Sequence, residues 1–419
     1  MRSPYSNKSV AIDDNGIFSE LARTLAASFG KVWYTSPWVS GFPRSDQLEI
    51  AEGSAEVERI DDILEVIHDC DLFVFPDIYQ GPKQKYLASL GKRVWGSRTG
   101  DDLEIYRQDA KEHCAHLGIP QGPYIAVQGM DAVRAYITAH DGERLWIKGN
   151  KARGDFETFC VEGYDLGKNE LDDLEARLGP VAGAMTYIIE QNIADSIDLA
   201  IDTHCILGAY PSVAVLGTEE KGECYVGVVK PWMGMPPQLR DMYERLSETF
   251  KEYGYRNFLS LESRAKGKQI ILGDPCCRAG SPPLELQLNW ITNLPRVFWE
   301  GAEGRMVDPV YDGRYGVELI VHSDWADKHP LLVDFPMKLR DKIKFRYQTE
   351  FDGKTWILPQ GAGPRIAAIV AHGDSLDACI EECTDISAQL KGTQIESFTR
   401  SFPIIKDKMK TLTQWGIDF

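Results

Sequence analysis

Between Tyr255 and Gly280 the chain reads Tyr-Arg-Asn-Phe-Leu-Ser-Leu-Glu-Ser-Arg-Ala-Lys-Gly-Lys-Gln-Ile-Ile-Leu-Gly-Asp-Pro-Cys-Cys-Arg-Ala-Gly. Two apolar runs flank a Lys-Gly-Lys turn. One run ends in Glu262 and the other in Asp274, with Arg278 four residues further on. Mg²⁺ takes one or two protein carboxylates and completes its shell with phosphates and water. A hairpin brings two sequence-distant carboxylates to one point, so this spacing points to a phosphate-handling metal site. Side chains alternate faces along a strand, so the two acids share a face only in some registers. Direct pairing of Glu262 with Asp274 centres the turn on Lys268, beside Gly267. A slip of one residue separates them. The competing reading is an ordinary surface hairpin with polar ends, since acids near turns are common.

Upstream, Leu145-Trp146-Ile147-Lys148 reads as a strand that delivers a lysine at its end. The loop from Gly149 to Thr158 then holds two glycines, Gly149 and Gly154, with Lys151 and Arg153. Flexible backbone lets N–H groups converge on anionic oxygens, while Lys148, Lys151 and Arg153 supply charge. The loop lacks the G-x-x-x-x-G-K-[ST] spacing of a P-loop, and a solvated basic turn is the alternative. Thr186 to Ile193 is an apolar strand interrupted by Glu190, and Asp198 precedes another strand, Leu199 to Asp202. An acid among apolar residues is costly unless paired or facing a cleft. A cleft for adenine and ribose would use backbone near Gln191 to Ile193 and these acids. Taken singly, each acid also fits a strand edge in water.

The elements that must position these groups are legible as alternating strands and helices. Val10–Ile12, Lys31–Tyr34, Leu72–Phe75 and Arg93–Trp95 read as strands. Phe18–Phe29, Ile60–His68 and Gln84–Leu90 read as helices. This alternation predicts a mostly parallel sheet with right-handed crossovers. The turn Asp13-Asp14-Asn15-Gly16 has no G-x-G-x-x-G, which argues against a dinucleotide cofactor. A helix over Asp102–Leu117 would carry Arg107 and Lys111 on one face, and Tyr124–Val127 and Met130–Ala139 read as strand and helix. Cys379 and Cys383 share an apolar helical face with Leu376, Ile380, Ile386 and Leu390, as buried thiols do. His204 and His372 read as structural or solvated, and no Ser-His-Asp set is visible.

At 419 residues the chain can build two or three packed units. A formal net charge of −17 argues against broad nonspecific nucleic-acid binding. No run of eighteen apolar residues suggests a membrane span, and the N-terminus lacks a secretory apolar core. Nine cysteines without a Cys-x-x-Cys pair fit a reducing cytoplasm.

The ordered set resembles the ATP-grasp superfamily over roughly residues 1 to 310. The tail, with Val317–Val321, Gly361–Gly373 and a helix over Ser375–Leu390, resembles the phosphoribosylamine–glycine ligase branch. The resemblance implies an α/β and α+β architecture. A parallel-sheet pre-ATP-grasp domain would span 1–100, a two-part ATP-grasp domain 101–310, and a small α/β domain 311–419. It places Arg107 and Lys148 at the phosphate-binding cations, with Lys151 and Gly154 in the loop closing over ATP. Glu190 and Ile193 fall at the adenine hinge and Asp198 at the ribose acid. Glu262 and Asp274 fall at the Mg²⁺ carboxylates, with Mn²⁺ an alternative ion, and Arg278 at the arginine that orients an acyl phosphate. Lys148 and Arg278 would be the catalytic pair.

Departures from that family are visible. The third metal position, usually Asn, is Cys276, and a thiol is a poor Mg²⁺ ligand. Water, Glu285 or Asn289 would have to replace it. The family's Asp-His-Lys-Arg run and Gly-Gly-Met-Gly loop are missing, so glycine and phosphoribosylamine do not carry over. The resemblance implies an ADP-forming carboxylate–amine ligase with small-molecule substrates. A nonstandard acceptor, such as an amine on a nucleotide or nucleic-acid base, is open. The alternative is an ATP-binding module without ligase chemistry, acting as a sensor or assembly partner.

Overall fold

The computed structural model describes residues 3–36, 48–54, 56–151, 158–359 and 363–419. Gly154 and Arg153 lie outside the described residues.

The N-terminal strands Ser9–Asp13, Lys31–Thr35, Leu72–Val74 and Arg93–Trp95 form where short apolar runs precede Gly or Asp punctuation. With Glu58–Arg59 they make a five-stranded parallel sheet, ordered from Glu58–Arg59 through Lys31–Thr35, Ser9–Asp13 and Leu72–Val74 to Arg93–Trp95. The helix Ser19–Ala26 covers one face through Leu21 and Leu25. The helices Leu284–Trp290 and Leu294–Ala302 complete that layer through Leu284, Leu294 and Phe298. The helix read over Ile60–His68 shortens to a 3₁₀ turn, Ile63–Val66. Asp62 accepts the Leu64 N–H and so caps this turn late, leaving too few residues before Asp69 for more.

A four-stranded antiparallel sheet follows, ordered Tyr124–Gln128, Thr186–Gln191, Arg144–Gly149, Thr158–Glu162. Its apolar face packs on the helices Met130–Ala139 and Tyr164–Leu178 through Val133, Ile137, Leu171 and Leu174. A nine-stranded sheet forms most of the remainder, beside a three-stranded one ordered Leu331–Val333, Lys354–Ile357, Gln348–Phe351. The path of the larger sheet runs Gln269–Cys276, Arg256–Lys266, Ile197–Ile206, Val213–Glu220, Cys224–Pro231, Tyr315–Ser323, Arg365–Gly373 and Ile343–Phe345. Ile395–Ser397 pairs beside Tyr315–Ser323. The ladder between Cys224–Pro231 and Tyr315–Ser323 thus joins strands from both sides of position 311 in one sheet. Cys379 and Cys383 are buried on the helix Leu376–Ser387.

The segment Asp102–Leu117 holds two helices, Asp102–Ile105 and Arg107–His116, broken at Tyr106 with φ −98° and ψ 76°. The break sets the second helix's first turn against the end of Arg144–Gly149. There the Gln108 N–H donates to Asn150 Oδ1 at 3.2 Å, and Arg107 Nη1 donates to the Gly149 carbonyl at 2.7 Å.

Candidate functional site

The hairpin Arg256–Lys266/Gln269–Cys276 closes on Gly267-Lys268, with Gly267 at φ 61°, a left-handed conformation glycine adopts without strain. From that turn the register runs Lys266↔Gln269 to Ser263↔Leu272. Continued unchanged, it would set Glu262 against Gly273. Instead a β-bulge falls between Glu262 and Ser263, and Glu262 pairs with Asp274. Gly273 is the extra residue, and a Cβ there would lie 3.0 Å from the Glu262 carbonyl oxygen. The bulge puts both carboxylates on one face, where a simple two-residue turn would have separated them.

That face floors a cavity of about 900 Å³. Arg107 and Lys111 line it from the helix Arg107–His116, and Asp198, Glu262 and Asp274 from strands of the nine-stranded sheet, with Arg278 just beyond the last. Lys148 and Glu190 project from neighbouring strands of the four-stranded sheet. Lys148 Nζ reaches Asp274 Oδ2 at 2.5 Å and Glu190 Oε2 at 2.9 Å. Lys111 Nζ meets Glu190 Oε1 at 2.7 Å. A chain of alternating charge, Lys111–Glu190–Lys148–Asp274, thus joins the two sheets. A second set lies beside it: Lys221 Nζ sits 3.2 Å from both Glu219 and Glu262.

These contacts fix the charge states. Burial opposes ionisation of Asp274, but Lys148, Lys111 and Arg107 outweigh it and hold the carboxyl well below its ordinary range. Lys221 likewise lowers the Glu262 carboxyl. Burial works against the Lys148 charge, yet Asp274 and Glu190 raise its pKa. Asp274 and Glu262 are therefore both anionic, hard-oxygen donors facing one way, which fits a Mg²⁺ ion whose remaining ligands are phosphate or water. Among the described residues no group of three or more His, Cys, Asp or Glu side chains is arranged for a metal. Cys276 is buried two residues beyond Asp274 on the same strand face. Glu285 is engaged elsewhere, with Arg346 Nη2 at 2.9 Å and the Ser281 hydroxyl at 2.5 Å. Asn289 is half-buried and donates to the Asp341 carbonyl.

The other sequence-derived residues take these places. Glu190 is spent between two lysines, so its carboxylate is not at a strand edge in water. Asp198 pairs across the sheet with Arg264, whose Nη1 donates to Asp198 Oδ2 at 2.8 Å. The Gln191 and Asn192 amides donate to the Pro123 and Arg144 carbonyls, while the Ile193 amide has no backbone partner among the described residues. Lys151 lies over the Tyr106 ring, 5.5 Å from its centroid. Arg278 Nε donates to Glu104 Oε1 at 2.8 Å, and Glu104 Oε2 accepts the Cys277 N–H. His204 is buried and bonded to the Val307 carbonyl, and burial lowers its pKa to about 4.

Sequence reasoning missed Lys221, Glu219, Glu104 and Asp202. The run Glu219-Glu220-Lys221-Gly222 looks like any charged turn, and only strand pairing brings it over Glu262. Asp202 lines the cavity and accepts from the Tyr225 hydroxyl at 2.5 Å, and burial raises its pKa to about 7. Its place after Asp198 at even spacing was the available signal, since both then share a face.

A parallel N-terminal sheet, a small antiparallel sheet and a large antiparallel sheet in this order are shared with solved structures. Phosphoribosylamine–glycine ligase from Thermotoga maritima superposes with a TM-score of 0.68 at 15% identity, covering 92% of this chain and 98% of that one. The chain has the ATP-grasp fold. The biotin carboxylase domain of Hydrogenobacter thermophilus 2-oxoglutarate carboxylase, in complex with MgADP, ADP and bicarbonate, shares this fold with a TM-score of 0.65 at 11% identity over 94% of this chain and 92% of that one. Biotin carboxylase from Campylobacter jejuni, in a β-γ-ATP complex, gives 0.65 at 15% identity over 94% and 93%. No protein-family model matches the chain, and no curated protein matches it in sequence. Within the ATP-grasp fold of this chain, no helix among the described residues is long and apolar enough to cross a membrane.

Proposed function

We propose that this chain is an ADP-forming carboxylate–amine ligase. The observation that carries the reading is the convergence of Lys111, Lys148 and Arg107 on Asp274, which faces Glu262 across the bulged hairpin. The fold adds support, because the similar structures include a ligase and two carboxylases, one of them in complex with MgADP and bicarbonate. The reading keeps the three-part division at 1–100, 101–310 and 311–419, and a cytoplasmic setting.

In this reaction ATP lies between the two antiparallel sheets. Ile193 contacts the adenine edge and Asp198 the ribose. Arg107, Lys148, Lys151 and the Gly154 loop hold the phosphates. Glu262 and Asp274 would hold Mg²⁺, or Mn²⁺, which would neutralise phosphate charge. A carboxylate oxygen attacks the γ-phosphorus, the β–γ bridging P–O bond breaks, and ADP leaves. The amine nitrogen then attacks the acyl carbon, the C–O bond to phosphate breaks, inorganic phosphate leaves, and the amine proton passes to water. Positioning and fixed charge do most of the work in phosphoryl transfer. Lys148 supplies charge at the transferred group and Arg278, held by Glu104, at the acyl phosphate. The donor is an amino acid carboxylate and the acceptor an amine on a nucleotide or nucleic-acid base.

Cys276 favours a second reading, an ATP-binding module without ligase activity, because it offers Mg²⁺ a thiol where oxygen is wanted. ADP release measured across a panel of amino acids and amines separates the two. Amine-dependent ADP formation supports the ligase. ATP binding without turnover on any pair supports the module.

A further inference from the structure

The acids that line the cavity differ in what answers their charge. Glu219 and Glu262 meet Lys221, Asp274 meets Lys148, Asp198 meets Arg264, and Glu104 meets Arg278. Asp202 meets no lysine or arginine among the described residues. It is only 5% exposed, accepts from the Tyr225 hydroxyl and faces the Ser260 hydroxyl. Burial raises its pKa, and the charges of Glu219 and Glu262 push the same way. An acid left in a cavity wall without a counter-charge is costly. A ligand that carries a positive group would remove that cost.

Strand register fixes where Asp202 stands. Ile197–Ile206 and Arg256–Lys266 keep one register on both sides of it, from Leu199↔Ser263 to Thr203↔Leu259. That register sets Asp202 across from Ser260 and Ala200 across from Glu262, and all four line the cavity. Asp202 therefore stands two residues along the sheet from Glu262, about 7 Å at the usual strand rise. The floor beside it is low, because Ala200 pairs with Gly217 on the next strand. A Cβ on Gly217 would run into both the Asp202 carboxylate and the Tyr225 hydroxyl, so glycine there lets this polar pair lie against the strand.

We infer that Asp202, with Tyr225 and Ser260, binds the ammonium group of the donor substrate, which is a free α-amino acid held with its carboxylate toward Glu262 and Asp274. The inference rests on the ligase reading and assigns the residue that selects an amino acid over other carboxylic acids. An ammonium offers three N–H donors and no acceptor, and a carboxylate with two hydroxyl oxygens can accept all three. A hydrogen bond of about 2.8 Å, followed by the short N–Cα–C–O path of an α-amino acid, covers most of the span from Asp202 to the metal acids. A 2-hydroxy acid of the same shape brings one donor and no charge, and leaves Asp202 unanswered.

The test is calorimetric titration of the full chain at pH 8, saturated with Mg²⁺ and a non-hydrolysable ATP analogue. The twenty standard amino acids are titrated singly, and the tightest is compared with its 2-hydroxy acid. The amino acid should bind about tenfold or more tightly than the hydroxy acid, as for a charge-assisted contact. Asp202→Asn should erase that preference by weakening the amino acid, and leave the affinities of the hydroxy acid and the ATP analogue as they were. The inference is overturned if none of the twenty binds, if the hydroxy acid matches the amino acid, or if Asp202→Asn keeps the preference. ADP release driven by carboxylic acids without an amino group would also overturn it, and would leave the ligase reading standing. Asp202-dependent binding of an amino acid, with no ADP release on any amine, would support the inference and count against the ligase reading.

Discussion

Glu262 and Asp274 are direct cross-strand partners because one glycine, Gly273, is bulged out of the ladder between them and the turn. The carboxylate pair is thus a property of the strand register, and the register hangs on a single residue.

Gly273→Val puts a side chain where a Cβ would lie 3.0 Å from the Glu262 carbonyl oxygen, so it should favour the unbulged ladder, set residue 273 against Glu262 and turn Asp274 to the opposite face. ADP formation should fall by at least about a hundredfold, as for loss of a fixed charge-stabilising group. The melting temperature should move by only a few degrees. Retained activity in the Gly273→Val variant would mean that the acid pair does not hold the metal.

Lys148→Ala leaves Asp274 and Glu190 facing each other without their shared cation. Lost charge-assisted contact to phosphate should weaken ATP by about 1.5–3 kcal/mol. The ligand-free protein should also lose about 2 kcal/mol in denaturant unfolding, below the cost of a fully buried pair because Asp274 is partly exposed. An undiminished ATP affinity would remove Lys148 from the phosphate site.

Lys221 is more than half exposed and is the counter-ion of Glu262 in the ligand-free site. Lys221→Ala should leave Glu262 more available to a divalent cation. The Mg²⁺ concentration for half-maximal ATP binding should drop by up to about fivefold, less at high salt. A rise in that concentration would instead make Lys221 a nucleotide contact.

Asp202 has a folded pKa of about 7, raised first by burial, against an ordinary carboxyl when unfolded. The native state therefore keeps a proton that the unfolded chain has lost. Its contribution to stability falls as pH climbs from about 4 to 7 and is flat above. Asp202→Asn can still accept from Tyr225, so it should stabilise the protein at pH 8, by at most about 4 kcal/mol, and change little at pH 4. The comparison must be variant against wild type, because His204, held neutral with a pKa of about 4, adds the opposite slope over nearly the same range. Equal effects at both pH values would show that Asp202 is ionised in the native state.

Cys276→Asn places an amide oxygen beside Asp274. Turnover should survive, with Mg²⁺ affinity equal or tighter, read by metal titration of ADP release. Loss of folding would show that the thiol fills space an amide cannot.

Local chemistry was sufficient for much of this protein. The alternating apolar runs around Val10, Val32, Phe73 and Val94 specified a parallel sheet, because buried strands of that kind are apolar throughout. Lys148 at a strand end, Glu190 within the next apolar run, and acids on both arms of a hairpin were readable as residue types at set spacings. The helix break at Tyr106 was not, since no Gly or Pro marks it and it follows from docking Arg107 and Gln108 on Gly149 and Asn150. Nor was the bulge at Gly273, because a glycine in a strand marks close backbone approach without saying which register wins. Lys221 over Glu262, Glu104 under Arg278, and Arg346 against Glu285 join residues between 41 and 174 positions apart. Such contacts come from sheet order and layer packing. The sequence by itself determined which side chains could do chemistry and on which elements they ride, through periodicity and turn residues. Only the tertiary structure decided which of them share a face and which cation each acid meets, because side-chain direction flips with every one-residue change of register.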